Sequence, residues 1–140
     1  MTVSDLQGLE APDFALRQHI EDWLSQSPIL ARHMAHISDQ SRRPKARPAL
    51  QVTTTQTADW SGKGFAGREV ELVLTLAMRG EDKARFSALI AAMEERMANV
   101  PDAFSAGRIV TLIPQNRRTA LTQDGVWRMR SNWRARAIIS

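Results

Sequence analysis

The chain has 140 residues, 43% of them apolar, and a formal net charge of +4, a size and composition suited to one domain around one core. It has no cysteine, which excludes disulfides, thiolate zinc sites and cysteine nucleophiles, and no apolar run approaches the ~18 residues of a membrane span. The first ten residues hold acids and no basic cluster, unlike a secretory signal, so synthesis in a cytoplasm is expected.

Residues 1–11 read as a flexible arm of a single domain spanning 1–140. Pro12 suits a first helical position, and Leu16, Ile20, Trp23 and Leu24 recur at helical spacing up to Ser25. Pro28 is expected to stop that helix. Between Ser27 and Pro48 no period is sustained, and a long loop is expected, with a short strand near Met34–Ile37. Ala49–Ala58 is rich in threonine, with Leu50 and Val52 two apart, as in a strand with one wet face. Asp59–Gly67 holds three glycines and reads as a flexible hairpin tip. Arg68 to Arg79 is the clearest strand. Val70, Leu72, Leu74, Leu76 and Met78 share one face, and Glu69, Glu71, Val73, Thr75 and Ala77 lie on the other.

Gly80 ends that strand, and Glu81 and Asp82 open a second helix whose apolar stripe is Phe86, Leu89, Ile90, Met93 and Met97. Arg108–Ile113 reads as a short strand ended by Pro114, followed by a polar stretch with an Asp124-Gly125 turn. Val126–Ile139 is the last strand. Trp127, Met129, Trp133, Ala135, Ala137 and Ile139 point one way, and Arg128, Arg130, Asn132, Arg134 and Arg136 the other. The expected class is α+β, in the order α-β-β-α-β-β, with two helices packed on one face of a mostly antiparallel four-stranded sheet.

Charge is unevenly spread. Residues 1–40 carry Asp5, Glu10, Asp13, Glu21, Asp22 and Asp39 against Arg17 and Arg32, whereas beyond Gly107 seven arginines face one acid, Asp124. A basic C-terminal third suits an acidic partner, nucleic acid or protein, and equally a solvated surface offset elsewhere in the fold. The arginine ladder of the last strand is the most unusual feature. Arginines two residues apart stand roughly 6.5–7 Å from one another and repel. Glu69 and Glu71, an acidic surface on an adjacent subunit, or DNA phosphates could each neutralise them. Trp127 and Trp133 alternate with the arginines and face the core, so no aromatic stacking platform for single strands is offered.

Catalytic signatures are absent. His33 and His36 have an HxxH spacing but no further ligands at a diagnostic distance, and two surface histidines are expected. Glu94 and Glu95 fall on a solvated helix face. No Ser, His and acid occur in a recognisable order, and Gly62, Gly64 and Gly67 fit neither phosphate-binding glycine spacing. No catalytic, cofactor-binding or metal residues are assigned. Trp60, in the glycine-rich tip, either anchors an interface or folds back on its own loop.

Taken together, these segments resemble the family of small phage tail-completion proteins found in siphophages, prophages and gene transfer agents. The resemblance runs from about Phe14 to Ile139. It is carried by Ser27-Pro28-Ile29-Leu30, Arg47-Pro48-Ala49-Leu50-Gln51-Val52, the Asp59-Trp60-Ser61 step, the Arg68–Arg79 strand entering the second helix, and the closing Arg128–Ile139 strand. It implies a tail terminator or head–tail joining protein, similar in fold to the terminator of lambda-like tails. Such a protein commonly forms a hexameric ring that caps the tail tube and docks to the head connector or stopper proteins. DNA passes through the lumen without sequence-specific binding. The resemblance implies no enzymatic activity, no cofactor and no membrane, with assembly in the host bacterial cytoplasm and residence in the neck or tail of the particle. A ring needs a heterologous, closing interface. Trp60 and Lys63 at the tip, with Arg68, Arg128, Arg130, Arg134 and Arg136, are the residues expected to make subunit or partner contacts. The alternative is a small basic nucleic-acid-binding protein; an enzyme ranks last.

Overall fold

The computed structural model describes residues 9–34, 36–38 and 48–140. Most of the expected arm and the basic stretch 39–47 lie outside the described residues. Helix α1 spans Pro12–Ser25, with proline at its start and Asp13 in its first turn, where the helix dipole favours an acid. It buries Ala15, Leu16, Ile20 and Leu24, a stripe of one or two steps per turn. Pro28 does not simply end this helix. It opens a second, α2 (Pro28–His33), with Ser27 as N-cap accepting a hydrogen bond from the Leu30 amide. The expected long loop therefore begins with a helical turn, and the short strand near Met34–Ile37 appears as β1 (His36–Ser38).

Strands β2 (Ala49–Asp59) and β3 (Ala66–Arg79) form an antiparallel hairpin. Helix α3 (Lys83–Met97) follows, capped by the Asp82 carboxylate on the Arg85 amide at 2.9 Å. A two-residue strand β4 (Ala103–Phe104) precedes the long hairpin of β5 (Gly107–Leu121) and β6 (Val126–Ile139). The sheet order is β1-β2-β3-β6-β5-β4, antiparallel throughout except for β1 beside β2. The α+β class and the mostly antiparallel sheet agree with the sequence reading. The count does not, because β1 and β4 add two strands too short to show a period and α2 adds a helix. β5 also runs through Pro114 to Leu121 rather than ending there. A register shift between Pro114 and Asn116 absorbs the missing proline N–H, as at a bulge.

The core lies between the helices and one face of the sheet. Leu16, Ile20 and Leu24 of α1 and Phe86, Met93 and Met97 of α3 meet Leu50, Val52, Leu72, Leu74, Leu76, Met78 and Met129, all nearly solvent-free. Each large apolar side chain so buried contributes about 1.5–3 kcal/mol. The two long helices are joined by a reciprocal contact. The Trp23 indole N–H donates to the Arg96 carbonyl at 2.9 Å, and Arg96 Nε donates to the Trp23 carbonyl at 2.9 Å. The guanidinium also lies 3.4 Å from the Trp23 ring centroid. No helix among the described residues is long and apolar enough to cross a membrane.

Candidate assembly surface

The face of the sheet opposite the helices carries the arginine ladder. On β6, Arg128, Arg130, Arg134 and Arg136 stand opposite Ala77, Thr75, Glu71 and Glu69 of β3, and opposite Ala120, Arg118, Ile113 and Thr111 of β5. The alternation expected of this strand holds, since Met129, Ser131, Trp133, Ala135 and Ala137 are buried beneath. Arg118 joins the ladder directly opposite Arg130. Arg79, opposite Val126, and Arg108, opposite Ile138, lie on the same face by register, so the five ladder guanidiniums share it with two more and with the carboxylates of Glu69 and Glu71. Only one ion pair between them forms, Arg136 Nε donating to Glu69 Oε2 at 2.8 Å. Glu71 is in register with Arg134 but makes no ion pair with it. Between Arg130 and Arg134, Asn132 donates to Asn116 Oδ1 at 2.8 Å. Nearby Glu71, Val73, Gln115, Arg130 and Asn132 line a shallow hollow of about 150 Å³.

The tip of the β2–β3 hairpin is more ordered than its glycines suggest. The Trp60 amide donates to the Gly67 carbonyl at 3.0 Å, and Gly62 and Phe65 exchange backbone hydrogen bonds around Gly64, which has φ +88°, a conformation that favours glycine. Trp60 folds back rather than standing free. A Cβ on Gly67 would lie 2.7 Å from the Trp60 carbonyl and 3.0 Å from its ring, so the absent side chain gives the indole its seat. There Trp60 meets Phe65 with centroids 5.6 Å apart and the Arg136 guanidinium at 5.5 Å, within cation–π range. Asp59 fixes the tip from the other side. The Ser61 hydroxyl and amide donate to its Oδ1 at 2.6 and 3.2 Å. The hydroxyl first, then the amide and the Arg68 charge, hold its carboxyl below the usual carboxylate range.

Of the residues expected to act together, Trp60, Arg128, Arg130, Arg134 and Arg136 are on one face. Arg68 is not. It pairs with Ala137 on the helix side of the sheet and reaches Asp59 at 3.4 Å. Grouping it with the ladder was an error of face, because it is in phase with Val70 and Leu72. Lys63 is exposed at the tip, apart from the ladder. Arg118 was missed because the strand was read as ending at Pro114. The alternation of Asn116, Arg118 and Ala120 beyond the proline was the available signal.

On the helix side, two open grooves of about 700 and 400 Å³ run between α3 and β5, divided by the Arg117–Glu94 ion pair. Their walls are largely apolar, with Leu112, Pro114, Trp133, Phe86, Ile90 and Trp127. Glu94 is engaged by Arg117 rather than poised for proton transfer. His33 closes α2 and His36 opens β1, so the HxxH pair shares no helical face. No group of three or more metal-ligating side chains occurs among the described residues.

The profile of the family described as "Tail completion protein gp17" matches residues 18–138. Among solved structures, a chain from the "Virion of native gene transfer agent (GTA) particle" superposes with a TM-score of 0.80 at 22% identity, covering 93% of this chain and 99% of that one. At that identity the likeness is one of fold. No curated protein matches the chain.

Proposed function

Because this chain belongs to the tail completion protein family, a structural family of phage tails, we propose that it is the tail terminator or head–tail joining component of a phage-like particle. Copies assemble in the host cytoplasm into a closed, hexameric ring. The ring caps the finished tail tube, docks to the head connector, and passes DNA through its lumen without reading its sequence. The protein makes and breaks no bonds; its work is done by surfaces.

One observation carries this reading. A sheet covered by helices on one side presents on the other a five-arginine ladder that, among the described residues of the sheet, meets only Glu69 and Glu71 in partial compensation. Aligned guanidiniums repel, so such a face is stabilised by an acidic partner more than by solvent. The ladder and the tip bearing Trp60 and Lys63 are the contact surfaces in this reading, with Arg68 contributing from the tip's other side. Light scattering on the purified chain, alone and with tail tubes, tests it. A defined oligomer is expected, and Arg130→Glu combined with Arg134→Glu should reduce it to folded monomer. An unchanged mass for that variant would refute the role of the ladder.

Arg118 adds weight to a second reading, a nucleic-acid-binding protein, because it widens the ladder across two strands. That reading requires duplex binding that weakens steeply with salt. A gel-shift series at two salt concentrations separates the two.

A further inference from the structure

The sheet ends on two incomplete edges. On one side β1 pairs only with Ala49–Gln51, and no described residue pairs with the outer side of Val52–Asp59. On the other, β4 pairs only with Gly107 and Arg108, and no described residue pairs with the outer side of Val110–Leu121. Long uncovered edges are ready templates for another strand. Here little blunts them beyond Pro114 and the adjacent Arg117 and Arg118.

We propose that these edges are two halves of one joint, with Gln115–Leu121 of β5 in one copy pairing antiparallel with Thr53–Asp59 of β2 in the next. The inference rests on the ring reading above and adds a main-chain joint to the side-chain contacts of the ladder proposed there. Direction supports it. β2 is antiparallel to β3, β3 to β6 and β6 to β5, so β2 and β5 run oppositely. A rotation about an axis along the strands preserves strand direction, which brings β5 to the next β2 in the antiparallel sense. The arginine face of every copy then lies on the same side.

Charge selects β2 over a second β5 as the partner. The β5 segment carries Arg117 and Arg118 and no acid, so β5 against β5 would set like charges together. The β2 segment carries only Asp59. Glu71 and Glu69 lie one strand behind it, opposite Gln56 and the small Ala58, where Arg118 of a neighbouring copy can reach them. The bulges bound the joint. The register shift at Pro114/Asn116 starts the β5 segment, and the one at Thr54/Gln56 sets its twist. A joint repeated from copy to copy is heterologous, and it closes a ring when the rotation per copy is a whole fraction of a turn. It also covers most of both long edges, leaving Val110–Pro114 of β5 and the outer sides of the shortest strands.

The absence of native cysteine makes the test clean. Double variants combine a cysteine at Arg118, Thr119 or Ala120 with one at Thr54, Gln56 or Thr57. Within one copy β2 and β5 are three strand spacings apart, roughly 14 Å, beyond disulfide reach. Paired across the joint, Cα atoms approach to ~4.5–5.5 Å. Oxidation, with and without tail tubes, is expected to convert monomer into a covalent ladder ending at the mass that light scattering gives for the ring, in at least one combination. A ring that forms by light scattering while no β5–β2 combination crosslinks, or while β5 single variants crosslink to themselves, overturns the edge joint and leaves the ring standing. A chain that stays monomeric under both conditions overturns the ring and the joint with it.

Discussion

Arg118 stands directly opposite Arg130 across β5 and β6, two guanidinium side chains on one face with no carboxylate of the described residues bridging them. Like charges opposed across a sheet destabilise it by about 0.2–1 kcal/mol. Arg118→Thr should therefore raise the melting temperature of the isolated chain at low ionic strength. Added salt should erase most of the difference, since these side chains are exposed and screened. Thermal unfolding at two salt concentrations measures both effects. A gain independent of salt would mean that repulsion is not its source.

The Trp23–Arg96 contact makes a contrasting prediction. A lysine at position 96 keeps the charge but has no Nε–H to donate to the Trp23 carbonyl and no planar group to lie over the indole. Arg96→Lys is expected to cost about 1–2 kcal/mol, from one hydrogen bond and one cation–π contact. Denaturant unfolding would detect the loss, and an unaltered midpoint would mean that the Arg96 side chain contributes nothing to joining the two helices.

At the hairpin tip, Gly67→Ala puts a methyl group 2.7 Å from the Trp60 carbonyl oxygen. Backbone cannot yield as a flexible side chain can, so the tip must shift at a cost of about 1–3 kcal/mol. The Trp60 indole N–H resonance should move while those of Trp23, Trp127 and Trp133 stay in place. Four unmoved indole signals would show that Trp60 is not seated on Gly67.

Acid should loosen the same tip. The folded state depresses the Asp59 carboxyl, so the stabilisation it provides is complete above the unfolded carboxylate value. It is lost as pH falls through the lower, folded value. The Ser61 amide is expected to keep its chemical shift at pH 5 and to titrate below about pH 4. Asp59→Asn, which removes the ionisation, should abolish that inflection. Titration of the Ser61 amide near pH 6 would assign the effect to another group.

Much of this architecture was legible because strict periods survive in its most buried parts. β3 keeps a large apolar side chain at every second position from Val70 to Met78, and α3 keeps one apolar stripe from Phe86 to Met97. Reading failed where length or punctuation hid the pattern. β4 is too short to alternate at all. Pro114 looked like a terminus because a proline removes a ladder donor, yet on a strand with a free outer side and a bulge that loss is tolerated. Pro28 follows the end of one helix, as expected, and also starts the next, since the same missing N–H suits a first helical turn. For the candidate surface, sequence parity identified four of the five ladder arginines. Arg68 was misplaced because it was grouped by charge rather than by its phase with Val70. Trp60's seat was invisible in the sequence, since it depends on the emptiness above Gly67.

The order of strands in the sheet has a consequence for how the chain is made. Its two central strands, β3 and β6, are neighbours in space but far apart in sequence; Glu69 and Arg136 are bonded across 67 residues. β6 also leaves the ribosome after every other strand described above. Until it arrives, the apolar side of β3 can be sheltered by helices, but its inner edge has no mate. The nascent protein thus carries a sticky half-sheet through most of its synthesis, a condition that favours slow folding and premature association. Loss of β6 would leave the β2–β3 hairpin and a β5 without its long partner rather than a shortened domain, so synthesis through Ile139 is itself the checkpoint for a usable copy.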